Sequence, residues 1–424
     1  MSRPRAHAEH AVAWQWTAFA GWTAFVVGLG LARFAYAPLF PALVAAGWFS
    51  PSQAAYIGAA NLIGYLAGAW LAGKLRTSIR PNVILPAVMA AITLSFFAGA
   101  VPLSFAWFFF WRFVSGVSGA ALVVIAAPTV LTRVPPARAG MVGGIMFGGL
   151  GIGVVASSTI IPALMRAGLS VTWIGLGCAA LVLTIAAWPG WPRHNIAASG
   201  AAAESRPSVT RKRPGLLLLY VAYGLSAVAC VPHTIFLVDL ISRDLGRGEG
   251  AGALYWLLFG LSAGLGPIVL GRVADTLRFG FTVTLAFLIQ GVSVAAVALD
   301  IDMISLAVAT IVAGAFNASL PLLVLGRIRE VIGHDASAQK SAWSIATLSF
   351  ALGQAAGAYG LAALFTVLGG DRLLFAVGGS AALLAFAIDL ASTAVRRPAL
   401  GRFADRSPSI LANGVEDVAS SSTQ

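Results

Sequence analysis

Apolar runs of about twenty residues, each long enough to cross the hydrocarbon core of a bilayer, follow one another along nearly the whole chain. They fall near residues 15–44, 53–73, 82–101, 104–131, 141–165, 170–189, 215–241, 250–270, 281–299, 303–325, 340–367 and 371–392. The breaks at Pro102 and at Asp300–Asp302 are tight hairpins. This pattern predicts an all-α membrane protein of twelve transmembrane helices. Apolar character begins near Ala11 and runs past Leu43, too long for the core of a secretory signal, so the first span is expected to remain in the mature protein.

The positions of the basic residues test that count independently, because Lys and Arg favour cytoplasmic loops. Of 27 such residues, 21 lie between spans on the side of the N-terminus and 4 (Arg166, Arg243, Arg247 and Arg372) lie on the other side. Arg33 and Arg112 fall inside spans. One span more or fewer would scramble the alternation, so the chain is expected to be multi-pass with both termini in the cytoplasm.

Composition agrees. The chain is 59% apolar and only 10% charged, whereas soluble domains carry about 25% charged residues. The net charge of +12 sits in short clusters between apolar runs and forms no stripe on a polar helix, which argues against nucleic acid. Cys178 and Cys230 both lie in apolar runs, so neither a disulfide framework nor metal-ligand spacing is present, and no cofactor is implied. Gly68 to Lys74 mimics a phosphate-binding loop, but Leu75 replaces the required Ser or Thr and the segment ends a membrane helix.

The longest polar stretch, Pro192–Pro214, follows six spans and precedes six. This predicts an N-terminal bundle over 1–191, a cytoplasmic linker over 192–214, a C-terminal bundle over 215–395 and a disordered cytoplasmic tail over 396–424. The halves echo each other: Gly30-Leu31, six residues, then Pro38 in span 1; Gly224-Leu225, six residues, then Pro232 in span 7. Gly-x-x-x-Gly pairs, which let helix backbones approach closely in lipid, occur at Gly64/Gly68, Gly144/Gly148, Gly149/Gly153, Gly260/Gly264 and Gly353/Gly357. Those are spans 2, 5, 8 and 11, equivalent positions in a three-helix repeat. Duplicated halves are a common plan among transporters.

These features resemble the major facilitator superfamily (MFS) over essentially the whole chain. The resemblance implies that helices 2, 5, 8 and 11 line the contact between two six-helix bundles rocking about a central site, and that the protein is a monomer. Gly271-Arg272-Val273-Ala274-Asp275 with Arg278 resembles the family's gating-loop motif, and Arg112 to Gly116 its R-x-x-x-G motif in span 4. The opening Gly28-Leu29-Gly30-Leu31-Ala32-Arg33-Phe34-Ala35-Tyr36-Ala37-Pro38-Leu39 resembles the YbfB/YjiJ-like permease branch. Two departures stand out. Gly73 replaces the motif Asp in the first half, and span 5 lacks the Gly-Pro pair of the antiporter motif.

A charge at mid-membrane costs roughly 2.5–3.5 kcal/mol on insertion scales and normally has a use or a partner. Arg33, with Tyr36 one helical turn on, is the leading expected anion grip, an arginine fork beside a phenol. Arg112 is either a proton-coupling tuner, as the resemblance implies, or a helix clamp. By the same resemblance, Asp275 in the loop after span 8 latches the cytoplasmic side, with Arg278 a partner. His233 and Asp239 are weak proton-carrier candidates, since six residues separate them and they share no helix face. Asp389 is expected at the interface. Asn61, Asn317, Gln354 and Gln290 are polar groups within spans that either bridge helices or touch substrate, and Tyr65, Trp256 and Trp343 line a cavity or face lipid. The expected activity is secondary transport of a small organic anion with a possible proton partner. Efflux of neutral or cationic compounds is the rival. A membrane-embedded enzyme would need clustered His, Asp, Glu or Ser, which the five scattered histidines do not supply; a non-transporting sensor is the remaining alternative.

Overall fold

The computed structural model describes residues 3–75, 80–131, 133–193, 214–299, 302–333, 335–368 and 370–404, which are helical with no strand among them. Twelve helices are long and apolar enough to span a membrane: spans 1 to 6 are Trp14–Ala45, Pro51–Ala72, Pro81–Gly99, Phe105–Leu131, Met141–Met165 and Leu169–Gly190. Spans 7 to 12 are Gly215–Asp244, Gly248–Leu277, Phe279–Ala296, Met303–Ile332, Ser341–Val367 and Arg372–Ser392. Most of the expected linker lies outside the described residues.

Several helices outlast the apolar window that revealed them. Span 8 continues through Asp275 to Leu277, so Asp275 sits in a last helical turn and not in a loop. Span 10 runs through Arg327 to Ile332, and the final helix continues to Ala404, through residues expected to be disordered tail. Hydropathy measures only the part of a helix that must be apolar, while the backbone hydrogen-bond ladder continues wherever polar side chains find partners or water. Asp300 and Ile301 of the second expected hairpin lie outside the described residues; Asp302 caps span 10, accepting from the N–H of Ile304 and of Ser305.

Span 1 is the most enclosed, with 94% of its apolar window buried. It is also broken: α-helix gives way to π-helical turns over Val26–Leu31, and a turn at Ala35 precedes a helix at Tyr36–Ala45. Span 7 carries π-helical turns at Pro232–Phe236 and Leu240–Asp244. Proline supplies no backbone N–H and glycine weakens helical regularity, so Gly28, Gly30, Pro38 and Pro232 account for where the ladders loosen. These two irregular helices are the counterparts in the two halves.

Spans 2 and 11 pack together, as do spans 5 and 8, and these pairs join the halves. The glycines, however, act mostly inside each half. A side chain at Gly64 or Gly68 would overlap the Phe113 or Val117 carbonyl of span 4, and one at Gly353 the Gly224 carbonyl of span 7. Gly357 sits against Val228 of span 7, while Gly149 and Gly153 lie against span 1, where a Cβ on Gly30 would be 2.6 Å from Gly153 Cα. The Gly30 and Gly224 echo thus marks equivalent close approaches, span 1 on span 5 and span 7 on span 11. Gly144 and Gly148 correct the packing expectation: a Cβ there meets nothing within 4 Å. Across the halves the crossing is made by Gly151, whose added Cβ would lie 2.7 Å from Gly264 Cα and 3.1 Å from Gly260 O. Gly151→Leu is therefore expected to cost about 1–3 kcal/mol through overpacking, read as a lowered melting midpoint, whereas Gly144→Leu should leave it within error.

The apolar core shows how the halves meet. One cluster joins both halves, but its C-terminal-half members come from the ends of spans 7 to 12 farthest from the termini. Toward the face that carries the termini, the C-terminal half has a separate cluster of its own. The halves therefore share a core at one end of the molecule and part toward the other.

Candidate substrate site

Aromatic rings seal the face opposite the termini. Phe40 of span 1 lies 5.9 Å from Phe236 of span 7 and 6.2 Å from Phe365 of span 11. Tyr56 of span 2 meets Tyr359 of span 11 at 6.1 Å, and Ser52 Oγ is 2.7 Å from Thr366 Oγ1. Deeper in, Trp256 of span 8 donates to Ser157 Oγ of span 5 at 3.1 Å, while its ring lies 6.1 Å from Phe34. Every one of these contacts crosses from one half to the other.

Arg33 lies behind this seal. Its guanidinium is 5.3 Å from the Phe34 ring and 5.5 Å from the Tyr65 ring of span 2. Cys230 of span 7 lies within electrostatic range, which places Arg33 between the halves. It is partly accessible although it belongs to the most enclosed span. Buried Nε has no hydrogen-bond partner among the described residues.

Tyr36 does not join this grip. Its hydroxyl donates to Ala54 O at 2.6 Å, and its ring lies 4.6 Å from the Arg112 guanidinium. The irregular turn between Arg33 and Tyr36 rotates the phenol away, so one-turn spacing fails as a guide; Tyr65 takes the place expected of Tyr36. Arg112 is a clamp, with NH1 donating to Ala32 O at 2.6 Å and joining span 4 to the break in span 1.

Asn61 donates to Arg112 O and Ser115 Oγ, both at 3.4 Å, bridging spans 2 and 4. Gln290 likewise bridges spans 9 and 7 through Ser226 O and Cys230 Sγ. Asn317 and Gln354 differ: a buried Nδ2 in the first and a buried Oε1 in the second lack protein partners. His233 is 1% exposed with both ring nitrogens unpartnered, its ring 5.0 Å from Phe375. Trp343 packs against the core of the C-terminal half.

Asp239 is held by Arg243, whose NH1 donates to both carboxylate oxygens, at 2.8 and 2.9 Å. Asp389 is fully buried rather than interfacial, paired at 2.5 Å with Arg327, itself 2% exposed and not in a loop as basic-residue placement implied. Charge pairing over 62 residues leaves no periodic signal in sequence. Asp275 and Arg278 are exposed, with neither an ion pair nor a hydrogen bond from either side chain to the described residues. No group of three or more His, Cys, Asp or Glu among the described residues is placed to hold a metal.

The arrangement is thus a largely aromatic seal at one end, a cation without an ion pair behind it and twelve apolar helices in two halves. A family model described as the uncharacterised MFS-type transporter YbfB matches residues 25–390, taking in both halves and the linker between them. No curated protein matches the chain. The chain belongs to the YbfB family of major-facilitator transporters.

Proposed function

We propose that this protein carries a small organic anion across a bacterial inner membrane by alternating access, with Arg33 as the anion-binding group and both termini in the cytoplasm. The supporting observation is how the arginines within the spans are paired. Arg327 and Arg243 each have a carboxylate, and Arg112 has a carbonyl and an aromatic face. Arg33 has two ring faces and neither a carboxylate nor a carbonyl partner among the described residues; its Nε, like that of Arg112, is unpartnered. An uncompensated guanidinium in a low-dielectric crevice favours an incoming carboxylate, and its planar fork fits one in bidentate fashion. Tyr65, Asn317 and Gln354 are the proposed neighbours that read the rest of the solute.

On this reading the sealed face is periplasmic and the state is cytoplasm-facing. Asp275, free in this state, would engage when the cytoplasmic side closes, near the positive N-terminal end of span 11. Asp275→Asn is expected to raise the labelling rate of cysteines placed in the cytoplasmic crevice. An unchanged rate would remove Asp275 from the gate.

Exchange tests the proposal: proteoliposomes loaded with a carboxylate should take up the labelled compound faster than empty ones. Exchange confined to neutral or cationic solutes would replace the anion reading with efflux of those compounds.

A further inference from the structure

Two aspartates meet where the sealed end of span 7 touches the start of span 12. Asp371 precedes span 12 and is 1% exposed. Its carboxyl is within hydrogen-bonding reach of the Asp239 carboxyl, but neither Asp371 oxygen receives a protein N–H or O–H.

Position makes that absence informative. An aspartate just before a helix ordinarily accepts from the first-turn N–H groups, as Asp302 does from Ile304 and Ser305 before span 10. Asp371 holds the same place before span 12, yet the N–H of Leu374 meets its main-chain oxygen and the side chain turns toward Asp239. The carboxyl forgoes a cap to face another acid. Two ionised carboxylates buried in contact repel, whereas one proton between them supplies the missing donor.

We propose that Asp239 and Asp371 form a proton-binding site that holds one proton while the face opposite the termini is closed and releases it when that face opens. One carboxyl donates to the other, while Arg243 balances the remaining negative charge through Asp239. Burial, then the negative charges of Asp239 and Asp244, push the Asp371 carboxyl well above the usual carboxylate range. Other charged or titratable groups on the packed elements at this end include Tyr36 of span 1, whose phenol is turned to Ala54, Glu249 and Tyr255 of span 8, the latter donating to Met303 O, and His233 of span 7. Asp244 and Arg372 line an open depression beside the pair.

The site sits on a moving part. Leu237–Asp239 lies between two π-helical stretches and packs against Tyr36–Ala45 of span 1, across the halves. Protonation ties this end of span 7 to span 12 and leaves Phe236 in the seal; deprotonation sets two negative charges against each other and drives the end outward. The closed-face state binds the extra proton, so it is favoured at low pH and lost as pH rises through the raised Asp371 range.

The test is a spin-label distance between Ser50→Cys and Glu249→Cys, both exposed near the sealed face, in a Cys178→Ser, Cys230→Ser background. One linked proton changes the open-to-closed ratio by up to about tenfold per pH unit. From about pH 5 to about pH 9 the short distance should give way to a longer one, with a shift of roughly tenfold or more in their ratio. Asp371→Asn, which supplies a permanent donor, should hold the short distance throughout. Asp239→Asn is the second variant should the first not fold, with the same expected flattening. A wild-type distribution that ignores pH, or variants that keep the full pH response, would overturn the proton site. Neither outcome depends on which solute Arg33 binds.

Discussion

Asp389→Ala is expected to destabilise the protein by about 3–5 kcal/mol, the usual cost of stripping one partner from a buried ion pair. Arg327 and Asp389 are 2% and 0% exposed, with NH1 2.5 Å from Oδ2. Thr284 Oγ1 donates to the same oxygen at 2.5 Å. The cluster ties spans 9, 10 and 12 together, and the alanine variant leaves a guanidinium with no counter-charge. The unfolded chain in a membrane also finds polar partners, which favours the lower end of the range. Asp389→Asn, which keeps an acceptor, should cost less. Replacing both with apolar residues, Arg327→Met with Asp389→Leu, should recover most of the loss, because the desolvation cost of the pair disappears with it. Thermal unfolding midpoints of the purified variants check the order: wild type and double variant high, Asn intermediate, Ala low.

Arg33→Leu is expected to do the reverse, sharply weakening anion binding while leaving stability unchanged or raised. Hydrogen bonds to charged groups contribute about 1.5–3 kcal/mol each, so losing a bidentate pair weakens binding by about a hundredfold or more. No carboxylate among the described residues is left stranded, since Arg33 has no ion pair to break. The guanidinium gives up only two ring faces, and leucine keeps apolar packing against Phe34 and Tyr65. Arg33→Lys keeps the charge without the fork and should bind with intermediate affinity. Binding isotherms with a carboxylate ligand, alongside melting midpoints, separate this result from simple misfolding. The two variants together sort buried arginines into one that holds the fold and one that holds a ligand.

Periodic and compositional features of this protein are legible in its sequence. Hydropathy locates all twelve spans, and the glycine pairs pick out helices where backbones come close. What a linear reading misses depends on rotation and distance. Helical spacing pairs Tyr36 with Arg33, but the turn at Ala35 sends its hydroxyl to Ala54. Asp389 and Arg327 look peripheral because each lies near a helix end, and only the fold shows that those ends converge. Asp371 looks like an ordinary loop acid, and nothing local marks that its carboxyl faces Asp239. Gly144 and Gly148 match the close-packing motif yet face open space, because the motif licenses an approach without supplying the helix that makes it.

The central claim is that the unpaired cation at Arg33 is the substrate's anchor. The most direct measurement is a thermal-shift screen of the purified protein against anionic, neutral and cationic metabolites, each hit repeated on Arg33→Leu. A ligand that binds only the folded state must raise its apparent stability. Stabilisation by one or more carboxylates that vanishes in the variant is the expected result. Hits confined to neutral or cationic compounds, or carboxylate hits that survive the loss of Arg33, would contradict it.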